Sequence, residues 1–332
     1  MKILVTGGGG FLGSAVVRQL LARGEVVRSL ARGAYPELEK MGVEVRRGDI
    51  ADQKTVFSAV EGCDAVIHVA AKAGIWGSYN DYYRPNVIGT QHMISACQHH
   101  GIQKLVYTSS PSVVDAGKPI ENGDESLPYP TKYESYYSET KALGEQLILK
   151  ANNPTLATVA IRPPLIWGPG DHQITPRLME RAAKGRIFKI GRRPCVLDTT
   201  YIDNAAEAHL LALDRLAPGS PIAGKTYFVS NGEPLPAEVI ISKIIDTKGY
   251  PPIQRTVPYW LPYAAGWAAE WVYRGLGIKN EPPLTRFLVR QLAKSRWFNI
   301  SAARRDLGYS PNISIDEGLQ ILRESWRRGG LP

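Results

Sequence analysis

The sequence predicts an α/β protein: a doubly wound parallel sheet followed by a smaller, mainly helical C-terminal lobe. Three observations predict it. Short apolar runs alternate with helix-period segments through the first half of the chain, the pattern of right-handed βαβ units. A continuous glycine run, Gly7–Gly10, joins the first apolar run to the first helical segment. After Pro163 the alternation gives way to an irregular stretch rich in Pro and Gly, then from about Leu235 to helical segments rich in Trp and Tyr.

Taken in order, Lys2–Thr6 reads as a strand and Phe11–Arg23 as a helix. Val26–Ala31, Val43–Gly48, Ala65–Ala70, Lys104–Ser109 and Thr158–Arg162 read as further strands. Glu134–Lys150 reads as a helix, with Leu143 and Leu147 at core spacing. Lys225–Ser230 is a late strand expected to return to the sheet. The division is thus residues 1–165 for a nucleotide-binding domain and residues 166–332 for a mostly substrate-binding lobe.

The 332 residues are 44% hydrophobic and 21% charged, values of an ordinary globular protein with a sizeable core. The formal charge of +9 suits an anionic cofactor or a carboxylate substrate as well as a solvated basic surface. No dense Lys/Arg stripe or nucleic-acid motif accompanies it, so no nucleic-acid partner is expected. Cys63, Cys97 and Cys195 form no CxxC pair, and an odd count argues against a disulfide framework. With no signal-peptide pattern at Met1–Gly10, a cytoplasmic location is expected. Val257–Leu276 is the most hydrophobic late stretch, but Pro258, Pro262, Gly266, Glu270 and Arg274 make it a poor membrane span.

Gly7, Gly10 and Gly13 give a GxxGxxG spacing between the first strand and the first helix. Glycine permits positive φ and close approach of backbone to a pyrophosphate, and the following helix offers free N–H groups to the phosphates. Gly13 lets helix and strand pack closely. With Phe11 and Leu12 this turn is the expected dinucleotide site of a Rossmann-type sheet. The second strand ends at Ala31 and Arg32, with Arg28 nearby, where an NAD-preferring site carries a carboxylate. A guanidinium attracts a 2′-phosphate, so NADP(H) is favoured over NAD(H). Asp49 and Ile50, after the third strand, are expected beside the adenine; Asp49 as a helix cap is an equal reading. Ala70, Ala71 and Lys72, ending the fourth strand, leave room for the ribose.

Tyr137 alone among the sixteen tyrosines has a Lys four residues on, Lys141. On a helix the two share a face. Lys141 is expected to lower the phenol pKa, so that Tyr137 exchanges a proton with a substrate oxygen as hydride is transferred. Ser110, at the C-terminal end of a predicted strand, is placed to bond the same oxygen, with Ser109 and Ser112 as fallbacks. Asn86 opens another helix, either capping it or holding the network near Lys141. Gly219–Thr226 fits GxxxxGK[ST], but a helix precedes it and a strand follows, the reverse of a P-loop. The six histidines show no paired spacing, so no metal is expected.

TGGGGFLG, GDI, VIHVAAKAG, VYTSSPSVV, YYSETK and IRPPLIWGPGD, in this order, resemble the extended short-chain dehydrogenases, and within them the 3β-hydroxysteroid dehydrogenase branch. AAKAGIWGSY, IWGPGD, DTTYIDNAA, NGEPLP, EPPLTRFL and ARRDLGYSP look like the bacterial 2-alkyl-3-oxoalkanoate reductases of long-chain olefin synthesis. The resemblance implies Ser110, Tyr137 and Lys141 as the catalytic set, Pro163 beside the cofactor, and NADPH-driven reduction of a hydrophobic β-keto acid. It also implies products that feed a later lactone-forming step in an assembly with partner enzymes. A 3β-hydroxysteroid or 4α-carboxysterol 3-dehydrogenase, a nucleotide-sugar epimerase or dehydratase, and a non-catalytic dinucleotide sensor are the alternatives.

Tyr259, Trp260, Tyr263, Trp267, Trp271 and Tyr273 are candidates to line an alkyl tunnel, to lie against a membrane or to pack internally. Residues 257–276 are accordingly a candidate contact with a membrane or a partner enzyme, and a homodimer is a candidate assembly. Arg177, Arg192 and Arg193 are candidates to pair with a substrate carboxylate.

Overall fold

A computed structural model describes residues 1–278 and 280–329. Its central sheet has seven strands: β1 Lys2–Thr6, β2 Val26–Ala31, β3 Glu44–Arg47, β4 Ala65–His68, β5 Lys104–Thr108, β6 Ala157–Arg162 and β7 Lys225–Phe228. They lie in the order β7-β6-β5-β4-β1-β2-β3, and every neighbouring pair is parallel. Ile3, Leu4 and Val5 are wholly buried. Burial on both faces explains why these strands read as unbroken apolar runs rather than as alternation.

The helices that matter to the site are α1 Phe11–Ala22, α2 Gly89–His99, α3 Tyr136–Lys150, α4 Ile202–Arg215, α5 Trp260–Gly275 and α6 Arg286–Gln291. On one face of the sheet α1 packs on α4, burying Val16, Leu20, Ala205 and Leu213. The other face takes the helix Gln53–Val60, α2 and part of α3 around Val56, Met93 and Ile148. The strand order reverses between β1 and β4, and ligands of such sheets bind outside the C-terminal strand ends at that point. The two ends meet there: a Cβ on Gly7 would lie 3.1 Å from the Ala70 Cα.

The C-terminal lobe is stitched to the sheet domain by a second, four-stranded sheet of Leu235–Pro236, Val196–Leu197, Arg296–Phe298 and Ile120–Gly123. Its strand Ile120–Gly123 comes from the first half of the chain, and β7 comes from the second, so the chain passes between the two parts more than once. No local pattern marks Ile120–Gly123: it is four residues long, half exposed, and pairs only with the distant Arg296–Phe298. The GxxxxGK[ST] segment is the turn between α4 and β7, with Gly219 and Gly224 both at φ +76°.

A buried ion pair anchors the catalytic-helix candidate to the sheet. Glu145 of α3 accepts from Arg162 of β6 at 2.6 and 2.9 Å, and the Tyr129 hydroxyl donates to the same carboxylate at 2.6 Å. Glu145 is 0% exposed and Arg162 2%. Truncating one member strands the other's charge in the interior, at a cost of about 3–5 kcal/mol. Glu145→Ala is therefore expected to lower the urea midpoint with little change in m-value. A loss below about 1 kcal/mol would mean that water reaches Arg162.

Candidate active site

The glycine turn is built for close approach. Gly7 has φ +71°, and the Gly10 N–H bonds to the Gly7 carbonyl at 2.8 Å. A Cβ on Gly13 would fall 2.1 Å from the Gly7 oxygen. Helix α1 is preceded by Gly10 as its cap, with no side-chain cap bond and no acidic residue in its first turn. Its N-terminal N–H groups and positive dipole end thus face the crevice without a carboxylate to compete. The cradle, which only glycine backbone leaves open, fits a dinucleotide pyrophosphate. Phe11 and Leu12 form the first turn; Phe11 reaches toward Gly170, whose Cβ would lie 4.0 Å from its ring.

Behind the turn, Thr6 Oγ1 bonds His68 Nδ1 at 2.7 Å and accepts the Ala70 N–H at 3.0 Å. Burial holds the His68 pKa down to about 3, so this ring is a neutral brace between strand ends. Ala71 is exposed and Lys72 half-buried on the crevice rim. Asn86 grips Lys72 through both backbone groups, accepting its N–H at 2.8 Å and donating to its carbonyl at 3.1 Å. It also donates to Thr140 Oγ1 of α3 at 3.0 Å. Asn86 sits inside the π-helical turn Arg84–Ile88 rather than at a helix start. The capping alternative is thus corrected: Asn86 ties the β4 end to the residue before Lys141 and does not bond Lys141 itself.

Asp49 is exposed and closes a local turn with the Ala51 N–H at 2.9 Å. The cap of Gln53–Val60 is Asp52, so the capping alternative for Asp49 is corrected as well. Ile50 is buried against Gly89, and Pro163 is buried just past β6.

At the end of β2, Arg32 is exposed. Arg28 is not available to a ligand. It is 5% exposed, pairs with Glu44 at 3.0 Å and donates to the Ala59 and Glu61 carbonyls at 2.8 and 2.6 Å. The reason is its parity: Arg28 faces the layer of the helix Gln53–Val60, with Leu30 of the same strand, and so lies under that helix rather than at the crevice. The second guanidinium at this edge is Arg47, which sequence reasoning missed. Ala31 and Arg47 are register partners, and the exposed Arg47 donates to the Arg32 carbonyl at 3.2 Å. Its signal was the Arg46-Arg47 pair just before Gly48-Asp49, legible only once β3 is known to lie beside β2. Tyr35 was missed as well; its ring fills the space that side chains on Gly9 and Gly33 would occupy.

Tyr137 and Ser110 meet across the β5 end and α3, while Lys141, one turn on, reaches the Thr108 carbonyl. Ser135 caps α3, and Tyr137 follows in the first turn. Ser110 is extended at φ −157°; its hydroxyl bonds the Ser112 hydroxyl at 3.0 Å and accepts the Ser112 backbone N–H at 3.2 Å. Burial raises the Tyr137 phenol pKa above its ordinary value, and a hydrogen bond from Ser110 opposes that rise. Ser109 lies below, 4% exposed, with its hydroxyl buried and unbonded; it does not share the Ser110–Ser112 pair.

Lys141 is 2% exposed. Its Nζ donates to the Thr108 carbonyl at 2.5 Å and sits 4.1 Å from the centre of the Tyr107 ring. Burial lowers its pKa to about 7, against a smaller raising effect from Glu145 one turn on. The expectation of a phenol acidified by its lysine is therefore corrected. Here desolvation outweighs charge: it pushes the phenol up and the amine down, so near neutral pH the phenol is protonated and the amine half-charged.

The proposed carboxylate partners fare unevenly. Arg177 is taken by Glu281 at 2.9 Å. Arg192 and Arg193 are exposed and make no ion pair among the described residues. The alkyl-tunnel candidates are also corrected in part: Trp260, Trp267 and Trp271 face outward, while Tyr263 and Tyr273 turn toward the body of the protein.

A dinucleotide cradle at the switch point, with a serine and a helix-borne Tyr–Lys pair one strand away, is the construction of an NAD(P)-dependent oxidoreductase of the extended short-chain dehydrogenase type. The model of the 3-beta hydroxysteroid dehydrogenase/isomerase family matches residues 4–258, and the chain belongs to that family. It is 51% identical over 98% of its length, and 99% of the other's, to a 2-alkyl-3-oxoalkanoate reductase of Stenotrophomonas maltophilia. To a protein of the same name from Shewanella oneidensis it is 45% identical, over 97% of this chain and 85% of that one. Among solved structures it resembles the Thermus thermophilus UDP-glucose 4-epimerase in complex with NAD, at TM-score 0.73 and 25% identity, over 98% and 99% of the two chains.

Proposed function

We propose that this protein uses NADPH to reduce a 2-alkyl-3-oxoalkanoate to its 3-hydroxy acid. The observation that carries the reading is the hydrogen bond between Ser110 and the Tyr137 phenol at the end of β5. A tyrosine whose pKa is raised, bonded to Ser110, keeps its proton at neutral pH and is a proton donor to a carbonyl oxygen, as reduction requires. The likeness to two reductases of that name over nearly the whole chain supports the substrate class.

With the cofactor's pyrophosphate held at the Gly7–Gly13 cradle, its nicotinamide would supply hydride to the substrate's carbonyl carbon. Ser110 would hold the carbonyl oxygen with its hydroxyl, and Tyr137 would give that oxygen its proton. Lys141, when protonated, would stabilise the phenolate left behind. Asn86 would keep the Lys72 backbone and Thr140 in register, and so act as a positioning residue.

The absence of a carboxylate at the β2 end, and the presence there of Arg32 and Arg47, support NADPH over NADH. Arg32→Ala is expected to raise KM for NADPH about 10- to 100-fold, the value of a charge-assisted hydrogen bond, with KM for NADH unchanged. An equal effect on both cofactors would remove the 2′-phosphate from Arg32. The substrate is tested by NADPH consumption over a panel: β-keto acids of several lengths, a 3-ketosteroid and UDP-sugars. Turnover of the keto acids, improving with alkyl length, is expected. Turnover of the steroid alone would overturn the reading.

A further inference from the structure

Helix α5 is attached by one face only. Pro262, Gly266 and Glu270, spaced by four, turn inward. A Cβ on Gly266 would meet the Thr285 carbonyl carbon at 2.9 Å, and Glu270 is locked by the Arg286 guanidinium at 2.7 and 3.0 Å. The opposite face carries Trp260, Trp267 and Trp271, 66%, 55% and 71% exposed, with Leu261 and Leu276 beside them. Of the fifteen large hydrophobic side chains exposed among the described residues, seven lie between Tyr259 and Leu276. Singly exposed apolar residues are ordinary; a contiguous row marks an interaction surface.

Charge selects the occupant. From Thr247 to Ile278 the only acidic residue is Glu270, and it is buried and paired. Arg255 and Arg274 are exposed on this stretch. Arg192 and Arg193, exposed and unpaired among the described residues, stand at its N-terminal end, because the Gly191 N–H bonds to the Val257 carbonyl at 2.8 Å. A second copy of the chain would set this basic rim against itself. An anionic lipid surface complements it, and tryptophan favours the depth of the headgroups. No helix among the described residues is long and apolar enough to cross a membrane.

We infer that α5 is an interfacial helix that docks the protein, in the membrane plane, on anionic lipid through Trp260, Trp267 and Trp271. The same helix touches the crevice. The Tyr263 hydroxyl accepts from Arg290 at 3.0 Å, and Arg290 pairs with Glu134 at 3.0 Å, just ahead of α3. The Tyr273 ring packs edge-on against Trp76 at 6.3 Å. Docking would hold the crevice rim at the surface into which a long-chain keto acid partitions; that consequence, though not the docking, rests on the substrate class proposed above.

The test is co-sedimentation of the full chain with vesicles of equimolar phosphatidylcholine and phosphatidylglycerol, without substrate. Wild type is expected to bind with a blue shift in tryptophan emission. The variant carrying Trp260→Ser, Trp267→Ser and Trp271→Ser is expected to bind at least about tenfold more weakly. Arg192→Ala with Arg193→Ala should cost about fivefold per charge on anionic vesicles and nothing on pure phosphatidylcholine. All variants should keep the wild-type circular dichroism spectrum and melting transition, which separates lost docking from lost folding. Wild type that stays in the supernatant overturns the inference. So does a dimer that the tryptophan variant dissociates without any vesicle binding, since a second copy would then cover the face. Neither failure touches the reductase reading, which is measured on substrate in solution.

Discussion

Tyr137→Phe is expected to lower keto-acid turnover by about 10²–10⁴-fold while leaving NADPH affinity within about twofold. The change removes one oxygen from a half-buried ring and leaves its packing in α3. The glycine cradle lies on the other side of the crevice, at the β1 end, and does not depend on that oxygen. Loss should therefore fall on kcat and not on cofactor binding. The raised phenol pKa adds a pH signature. In the reduction direction the wild-type phenol stays protonated across neutral pH, so no limb below pH 9 should arise from Tyr137. Turnover within tenfold of wild type would defeat the proton-donor assignment, whatever the substrate proves to be.

Lys141→Met is expected to do two opposite things. It should lower kcat/KM by about a hundredfold or more, because no cation remains to stabilise the phenolate. It should also raise the melting temperature of the ligand-free protein at pH 7. The amine titrates at about 7 when folded, against 10.5 for the ordinary side chain. A depressed lysine pKa means that the unfolded chain binds the extra proton between about pH 7 and pH 10.5, so stability rises with pH across that window. Below it the folded state carries the full penalty of a buried charge; above it the penalty vanishes. Methionine fills similar space and bears no such penalty. The stability gap between variant and wild type should thus be largest at or below pH 7 and close toward pH 10.5, measured by melts at several pH values. A gap that does not change with pH would mean that Lys141 keeps its charge comfortably in the fold. Wild-type kcat/KM for reduction should in turn decline as pH rises through about 7 and the ammonium is lost.

The part of the site that was legible in the sequence is the part encoded by short spacing. Tyr137 and Lys141 are four apart on one helix, and the glycines recur at threes on one turn. Backbone geometry alone then places them, whatever packs around them. Parallel strands buried on both faces announce themselves for a similar reason: their apolar runs are continuous. Arg28 and Arg47 were not distinguishable this way. Both are arginines near a strand end, yet one is buried against Glu44 and the other exposed beside Arg32. Which is which depends on strand parity and on the neighbour across the sheet.

By itself, then, the sequence determined the doubly wound sheet, the dinucleotide turn and the tyrosine–lysine helix, because each is written in a pattern of residues a few positions apart. The tertiary structure alone decided the charge states and the free surfaces. Burial of Lys141 beneath Thr108 lowers the amine, and burial of Tyr137 raises the phenol, the reverse of what the pair would do in water. Packing of Gly266 and Glu270 on α6 turns three tryptophans outward. Desolvation and exposure are properties of what surrounds a group in space, and residues far away in the chain supply those surroundings.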